Sequence, residues 1–384
     1  MAALLATLIV VSAPAFGQDV EEDIEQQSGT AYVPGEVVVA KEDGGYAVRQ
    51  VQAETLGGIQ EKAEELEEGK DVIAAGPNYA YRPSGFAPND PFFDQQYNLL
   101  SAMRFRGAWG YSRGEGVPIG FVDTGYYGDH PDLDAKVRGE YDFVEEDPAA
   151  QDFGYHGTAA VGVAAAETNN GAGIASAGFE AGFFMAKACT DWCYSSDTAP
   201  AMDWLVDKGV RIINLSFGAE QTPPGDPVLE ASVRRAQEAG ALVIAGVGNG
   251  GVDTGSFYPA AYPGVLGVAA VGEDKTPASF SNSGPVVDVA APGVGIISTY
   301  NPNSPENTTR APYARFTGTS FAAPHVAGLA ALLKAENPDI TAGRIAARIQ
   351  DSATDRGSPG RDNAYGNGLL NARCAVAPPK DESC

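Results

Sequence analysis

Between residues 117 and 351 the chain alternates short apolar runs with segments of helical periodicity, and few folds accept that alternation. The apolar runs are Val117 to Val122, Gly182 to Ala186, Val210 to Leu215, Ala241 to Val247 and Val265 to Val271. Helical patterns cover His156 to Ala166, Ala199 to Lys208, Pro227 to Ala239, Ser320 to Ala335 and Thr341 to Asp351. Strands that are apolar throughout need cover on both faces. The pattern therefore predicts an α/β fold in which a mostly parallel central sheet lies between two layers of helices. In such sheets functional residues gather where strands end and helices begin.

Charge and composition then divide the chain. Fifty acidic against 25 basic residues give a formal charge of −25, which repels phosphate backbones, so no nucleic-acid partner is expected. Residues 18–82 hold 15 acidic and 5 basic residues, and the Pro/Gly/Asn-rich stretch from Arg82 to Pro91 reads as a linker. Before that linker, Gly35 to Ala40 predicts a strand and Glu61 to Glu68 an exposed helix, a small α+β unit. The uncharged, apolar residues 1–17 resemble a signal peptide, with Ala13-Pro14-Ala15 or Ala15-Phe16-Gly17 as a cleavage site. No other uninterrupted apolar run approaches the ~20 residues of a membrane helix, so a soluble, exported monomer is expected. Four cysteines in an exported chain favour disulfides, and proximity suggests Cys189 with Cys193 and Cys374 with Cys384. No histidine lies near either pair, which argues against zinc.

Three strand-end or helix-start residues form a chemical set. Asp123 follows Ile119-Gly120-Phe121-Val122, His156 opens one helical pattern, and Ser320 opens another. A serine hydroxyl is a poor nucleophile at neutral pH. It needs an imidazole to take its proton and a carboxylate to orient that imidazole. These residues stand in Asp123-Thr124-Gly125, His156-Gly157-Thr158 and Gly318-Thr319-Ser320-Phe321-Ala322-Ala323-Pro324-His325, in the chain order Asp, His, Ser. With His130-Pro131-Asp132-Leu133, the motifs resemble those of the subtilisin-like serine proteases (subtilases), from about Asn89 to Asn371. The resemblance implies a three-layer subtilisin-like fold. It assigns Asp123 as orienting acid, His156 as general base and acid, and Ser320 as nucleophile. Two positions depart from the family: Ala159 stands where a second histidine is usual, and Phe321 where methionine is. Both changes are apolar, so altered packing is expected and not lost chemistry.

Further residues follow from the same resemblance. Asn249, after Val243 to Gly248, would donate to the oxyanion. Ser216, Phe217 and Gly218 would pair with an extended polypeptide substrate and form one wall of the specificity pocket; Gly246, Val247 and Gly248 would form the other. Phe257 would stand at its floor and shorten it, favouring small side chains on the acyl side of the cut. A structural calcium would be held by Asp90, Asp132, the side chain of Asn170 and the carbonyls of Thr168, Ala172 and Ile174. His130 and His325 read as structural.

The implied organisation is a signal peptide over 1–17, a propeptide and linker over 18–88, a catalytic domain over 89–373 and a short tail over 374–384. The propeptide would act as an intramolecular inhibitor. Two alternatives stand beside a secreted endopeptidase. One is an inactive binding protein of the same family, its triad spoiled by Ala159 and Phe321. The other is an esterase, against which the peptide-pairing segment at Ser216 counts.

Overall fold

The computed structural model describes residues 25–27, 30–79, 87–222 and 225–377. The chain divides into two compact units, one up to Ser84 and one from Gly85 onward. The expected signal peptide and Cys384 lie outside the described residues.

The smaller unit is an antiparallel sheet of β1 (Glu25–Gln27), β2 (Thr30–Lys41), β3 (Tyr46–Gln50) and β4 (Val72–Tyr79), with β2 paired to the other three. Helix α1 (Leu56–Glu67) buries Ile59 and Ala63 against Tyr32, Val37 and Val39 of that sheet. Thr55 caps the helix by accepting from the Gly58 amide.

The larger unit opens with a 3₁₀ turn (Phe93–Gln95), a π turn (Asn98–Ala102) and a single α-helical turn, α2 (Phe105–Ala108), and then builds the central sheet. In chain order its elements are β5 (Pro118–Asp123), β6 (Val137–Asp142), α3 (His156–Ala165), β7 (Gly182–Lys187), α4 (Ser195–Asp207), β8 (Ile212–Leu215), β9 (Ala219–Glu220), α5 (Pro227–Glu238) and β10 (Leu242–Gly246). They continue with β11 (Phe257–Tyr258), β12 (Leu266–Val271), β13 (Val289–Pro292), β14 (Ile296–Thr299), β15 (Tyr313–Phe316), α6 (Thr319–Glu336), α7 (Ala342–Asp351) and α8 (Ala372–Val376). Seven strands pair in the order β13-β12-β10-β8-β5-β7-β6, all parallel.

Side-chain alternation along the strands makes the layers. Ile119, Phe121, Leu242 and Ile244 point to the layer of α3 and α6; Val122, Val243 and Ala245 point to that of α4 and α5. Helix α6 is buried almost all round, as its Ala- and Leu-rich sequence dictates. It runs through the core with Ser320 in its first turn. Pro324 lies inside it, and the Ser320 carbonyl that its missing amide leaves free accepts instead from Ser216 Oγ at 2.8 Å. No helix among the described residues is long and apolar enough to cross a membrane.

Candidate active site

Asp123 is the last residue of β5 and His156 the first of α3, so the strand end and the helix start meet. His156 Nδ1 lies 2.7 Å from Asp123 Oδ1, which also accepts the Thr124 amide at 2.8 Å. Asp123 is buried and His156 half-buried. Burial pulls the imidazole pKa down, but the charge and hydrogen bond of Asp123, with the charge of Asp152, outweigh it. The net shift is upward from the ordinary histidine value. The Nδ1–H tautomer that Asp123 accepts from leaves Nε2 as the basic nitrogen.

Ser320 lies in a cavity of about 440 Å³ with Ser216, Phe217, Gly218, Gly246, Gly248, Asn249 and Phe257. Its Oγ donates to the Ser216 carbonyl at 3.0 Å, and no hydrogen bond joins it to His156. Asn249 is exposed, yet its amide is oriented: Oδ1 accepts from Thr319 N at 2.9 Å and Thr319 Oγ1 at 3.1 Å. Only an oxygen can accept both, so Nδ2 is left to donate into the cavity. The same contact serves α6, which has no cap of its own and whose first amide would otherwise go unpaired. Asn282 pins the loop behind it, accepting the amides of Gly250 and Val252 and donating to the Val247 carbonyl.

Val247 is the one expected pocket residue whose side chain is elsewhere. It is fully buried in the layer of α4 and α5, because alternation along the strand turns it away from its glycine neighbours. The Phe257 ring lies between the two walls, and a Cβ on Gly218 or Gly248 would run into it. Strand β11 brings it there by pairing with β9, Phe257 opposite Glu220. The disulfide Cys189–Cys193 closes a five-residue loop at the rim, from which Trp192 also lines the cavity. A wider concavity at Trp109, Arg113 and Glu336 holds none of the expected residues.

Ala159 and Phe321 pack into one apolar cluster with Val163, Ile296 and Phe316, and the Phe321 ring centroid is 5.7 Å from that of His156. The Phe321 ring also lies 5.2 Å, between centroids, from that of Phe316.

A second assembly lies apart from this cleft. Asp90 accepts the amides of Asn169 (2.8 Å) and Asn170 (3.3 Å); Asp132 accepts Asn170 Nδ2 (2.9 Å) and the Ile174 amide (3.0 Å). Burial pushes Asp132 up to about 6, with Asp90 adding to the effect, and pushes Asp90 up as well. The carbonyls of Thr168, Ala172 and Ile174 take part in no hydrogen bond among the described residues. Two carboxylates, an amide and three unengaged carbonyls around one loop are a hard oxygen donor set of the kind calcium prefers. The His130 ring supports Asp132, accepting its amide at Nδ1 (3.1 Å) while Nε2 donates to the Pro312 carbonyl (2.7 Å). His325 is fully buried, accepts from Asn98 Nδ2 at 2.7 Å and is pushed down to about 3 by burial. Both histidines are packed away from the cleft.

Comparison with known proteins agrees with this arrangement. The sequence model of the subtilase family, peptidase S8, matches residues 114–368. The chain is a subtilase. Thermitase from Thermoactinomyces vulgaris is 38% identical over 293 residues, 76% of this chain and 99% of thermitase. Subtilisin Savinase from Lederbergia lenta is 37% identical over 282 residues, 70% of this chain and 98% of Savinase. A protease from Pseudoalteromonas arctica superposes with a TM-score of 0.69 at 29% identity, covering 76% of this chain and 99% of that one. By this homology the subtilase is a serine endopeptidase of the subtilisin type.

The sequence motifs hold Thr124 and Thr158 without assigning them a role, and Asp152 lies outside every motif. All three join the end of β5 to the start of α3 by hydrogen bonds.

Proposed function

We propose that this subtilase cleaves polypeptides by acyl transfer to Ser320. The observation that carries the reading is the 2.7 Å contact of His156 Nδ1 with Asp123, with the imidazole 5.7 Å from the ring of Phe321, the neighbour of Ser320, whose cavity Asn249 also lines. Ser320 Oγ attacks the scissile carbonyl carbon while its proton passes to His156 Nε2. Asp123 holds the ring and stabilises the imidazolium. The oxyanion takes Asn249 Nδ2–H and the Ser320 amide, at the positive end of α6. The imidazolium then protonates the leaving amine, and water attacks the acyl-enzyme by the reverse route.

An extended peptide pairing with Ser216 to Gly218 presents an N–H to the Ser216 carbonyl. That is the acceptor now used by Ser320 Oγ, so substrate binding frees the hydroxyl to turn towards His156. The Ser320–Ser216 bond is also the one observation that favours the inactive binding protein. Residues 18–88 are proposed as propeptide and linker: the N-terminal unit is compact by itself, and nearly all of thermitase aligns with three-quarters of this chain. A disulfide at the cleft suits an exported, oxidising destination.

Labelling with a fluorophosphonate, followed by peptide mass spectrometry, tests the reading. Adduct is expected on Ser320 and absent from Ser320→Ala. The labelling rate should fall as acid protonates His156, with a midpoint above the ordinary value of about 6.5, because Asp123 and Asp152 favour the charged ring. No adduct on protein freed of residues 18–88, with calcium present, would select the inactive binding protein.

A further inference from the structure

Asp152 is wholly buried, and no cation pairs with it among the described residues. Four donors converge on its carboxylate instead: Thr124 Oγ1 (3.2 Å) and the Gly154 amide (3.0 Å) on Oδ1, the Thr158 amide (3.1 Å) and Thr158 Oγ1 (2.6 Å) on Oδ2. The direction of both hydroxyl bonds follows from their other partners. Thr124 Oγ1 accepts the Gly157 amide at 2.9 Å, and Thr158 Oγ1 accepts the Tyr127 amide at 3.1 Å. Each hydroxyl therefore has its proton free for Asp152. All four contacts are donated, so the site is built for the ionised carboxylate.

This arrangement replaces a local helix cap. Tyr155 precedes α3 without a side-chain capping bond, and the first-turn amides of Gly157 and Thr158 end on Thr124 and Asp152. Thr124 adjoins Asp123, and His156 opens the helix being capped.

We infer that Asp152 is a positioning residue of the catalytic apparatus: it locks the end of β5 to the first turn of α3, so that Asp123 and His156 meet, and sets a second negative charge behind the imidazole. The inference rests on the acyl-transfer reading above. Burial pushes the Asp152 pKa up to about 6, which leaves it ionised at neutral pH. Asp123 from β5 and Asp152 from the loop before α3 are the two charged groups that act on His156; from α6 the Phe321 ring faces it, 5.7 Å between centroids.

The test is Asp152→Asn in the mature enzyme, with kcat, KM and the pH profile measured on a peptide substrate. The acid limb should move to lower pH, since one of two charges favouring the imidazolium is gone. kcat should fall roughly ten- to a hundredfold through misplacement of the base, with KM within about twofold. An acid limb unmoved from wild type overturns the inference, whatever the rate. If the Asn variant does not fold, Thr158→Val is compared with Thr158→Ser, which keeps the hydroxyl. The Val variant should lose at least about tenfold more kcat at similar KM, and equal kcat in the two overturns the inference. A wild-type enzyme that fails to label at Ser320 would instead sink the acyl-transfer reading, so the two failures are distinct.

Discussion

Phe257 lines the same cavity as Ser320, and we propose that it sets how far a substrate side chain can enter. Its ring lies between Gly218 and Gly248, positions where even one added carbon on either wall would strike it. A side chain entering from the acyl side of the cut meets the phenyl ring where an open floor would admit a long residue. The enzyme should therefore prefer Ala or Gly there, and Phe257→Ala should shift the preference towards Leu and Phe. Discrimination by pocket size amounts to about 10- to 200-fold per methylene, so a tenfold change in the Leu-to-Ala ratio of kcat/KM is a reasonable threshold. Profiling both proteins with a peptide library checks this; a wild type that already prefers Phe or Leu refutes the shallow floor.

At the scale of elements, the pairing of α3 with α6 carries the two departures from the family pattern. Ala159 on α3 and Phe321 on α6 belong to one buried apolar cluster. Phe321→Ala should open a void that neither helix can close and cost about 3–5 kcal/mol, read as a lower midpoint in chemical denaturation. An unchanged midpoint would mean that the cluster collapses around the loss. Elements like these were largely legible in the sequence, because strands buried on both faces are continuous apolar runs and α6 is apolar on every side. The exceptions have physical causes. β6, Val137–Asp142, is an edge strand with charges at Arg138 and Glu140, and β13 is only four residues long. α4 starts four residues before the expected Ala199, through a Ser-Ser-Asp turn that reads as loop. The site was legible where its residues sit in contiguous motifs. Val247 directly follows β10 and keeps the parity of Val243 and Ala245, so its side chain turns from the cleft while its glycine neighbours line it. Asp152 was missed although Gly154 and Thr158 are near it in sequence, because its link to Thr124, and so to the end of β5, is made only by the fold.

For the whole molecule the question is what the −25 charge and the loop at Asn170 do to stability. Asp90 lies near the start of the larger unit, Asp132 follows β5, and residues 168–174 follow α3, so a cation bound there would tie three distant stretches of chain. A calcium there would bear on the fold and not on the chemistry, since neither carboxylate lines the Ser320 cavity. The sign of its effect follows from mass action. A ligand that binds the folded chain alone stabilises it by RT ln(1 + [L]/Kd), about 2.7 kcal/mol at a hundredfold excess over Kd. The thermal midpoint should therefore fall on chelation, recover with added calcium and climb logarithmically with its concentration. Asp132→Asn should flatten that climb, because it removes a charge from the donor set while leaving an oxygen in place. A midpoint indifferent to chelator in the wild type would mean that the Asn169, Asn170 and Ile174 hydrogen bonds hold the two buried carboxylates without a cation. The raised pKa of Asp132 would then be a lasting property of the folded enzyme, and not one that a bound charge relieves.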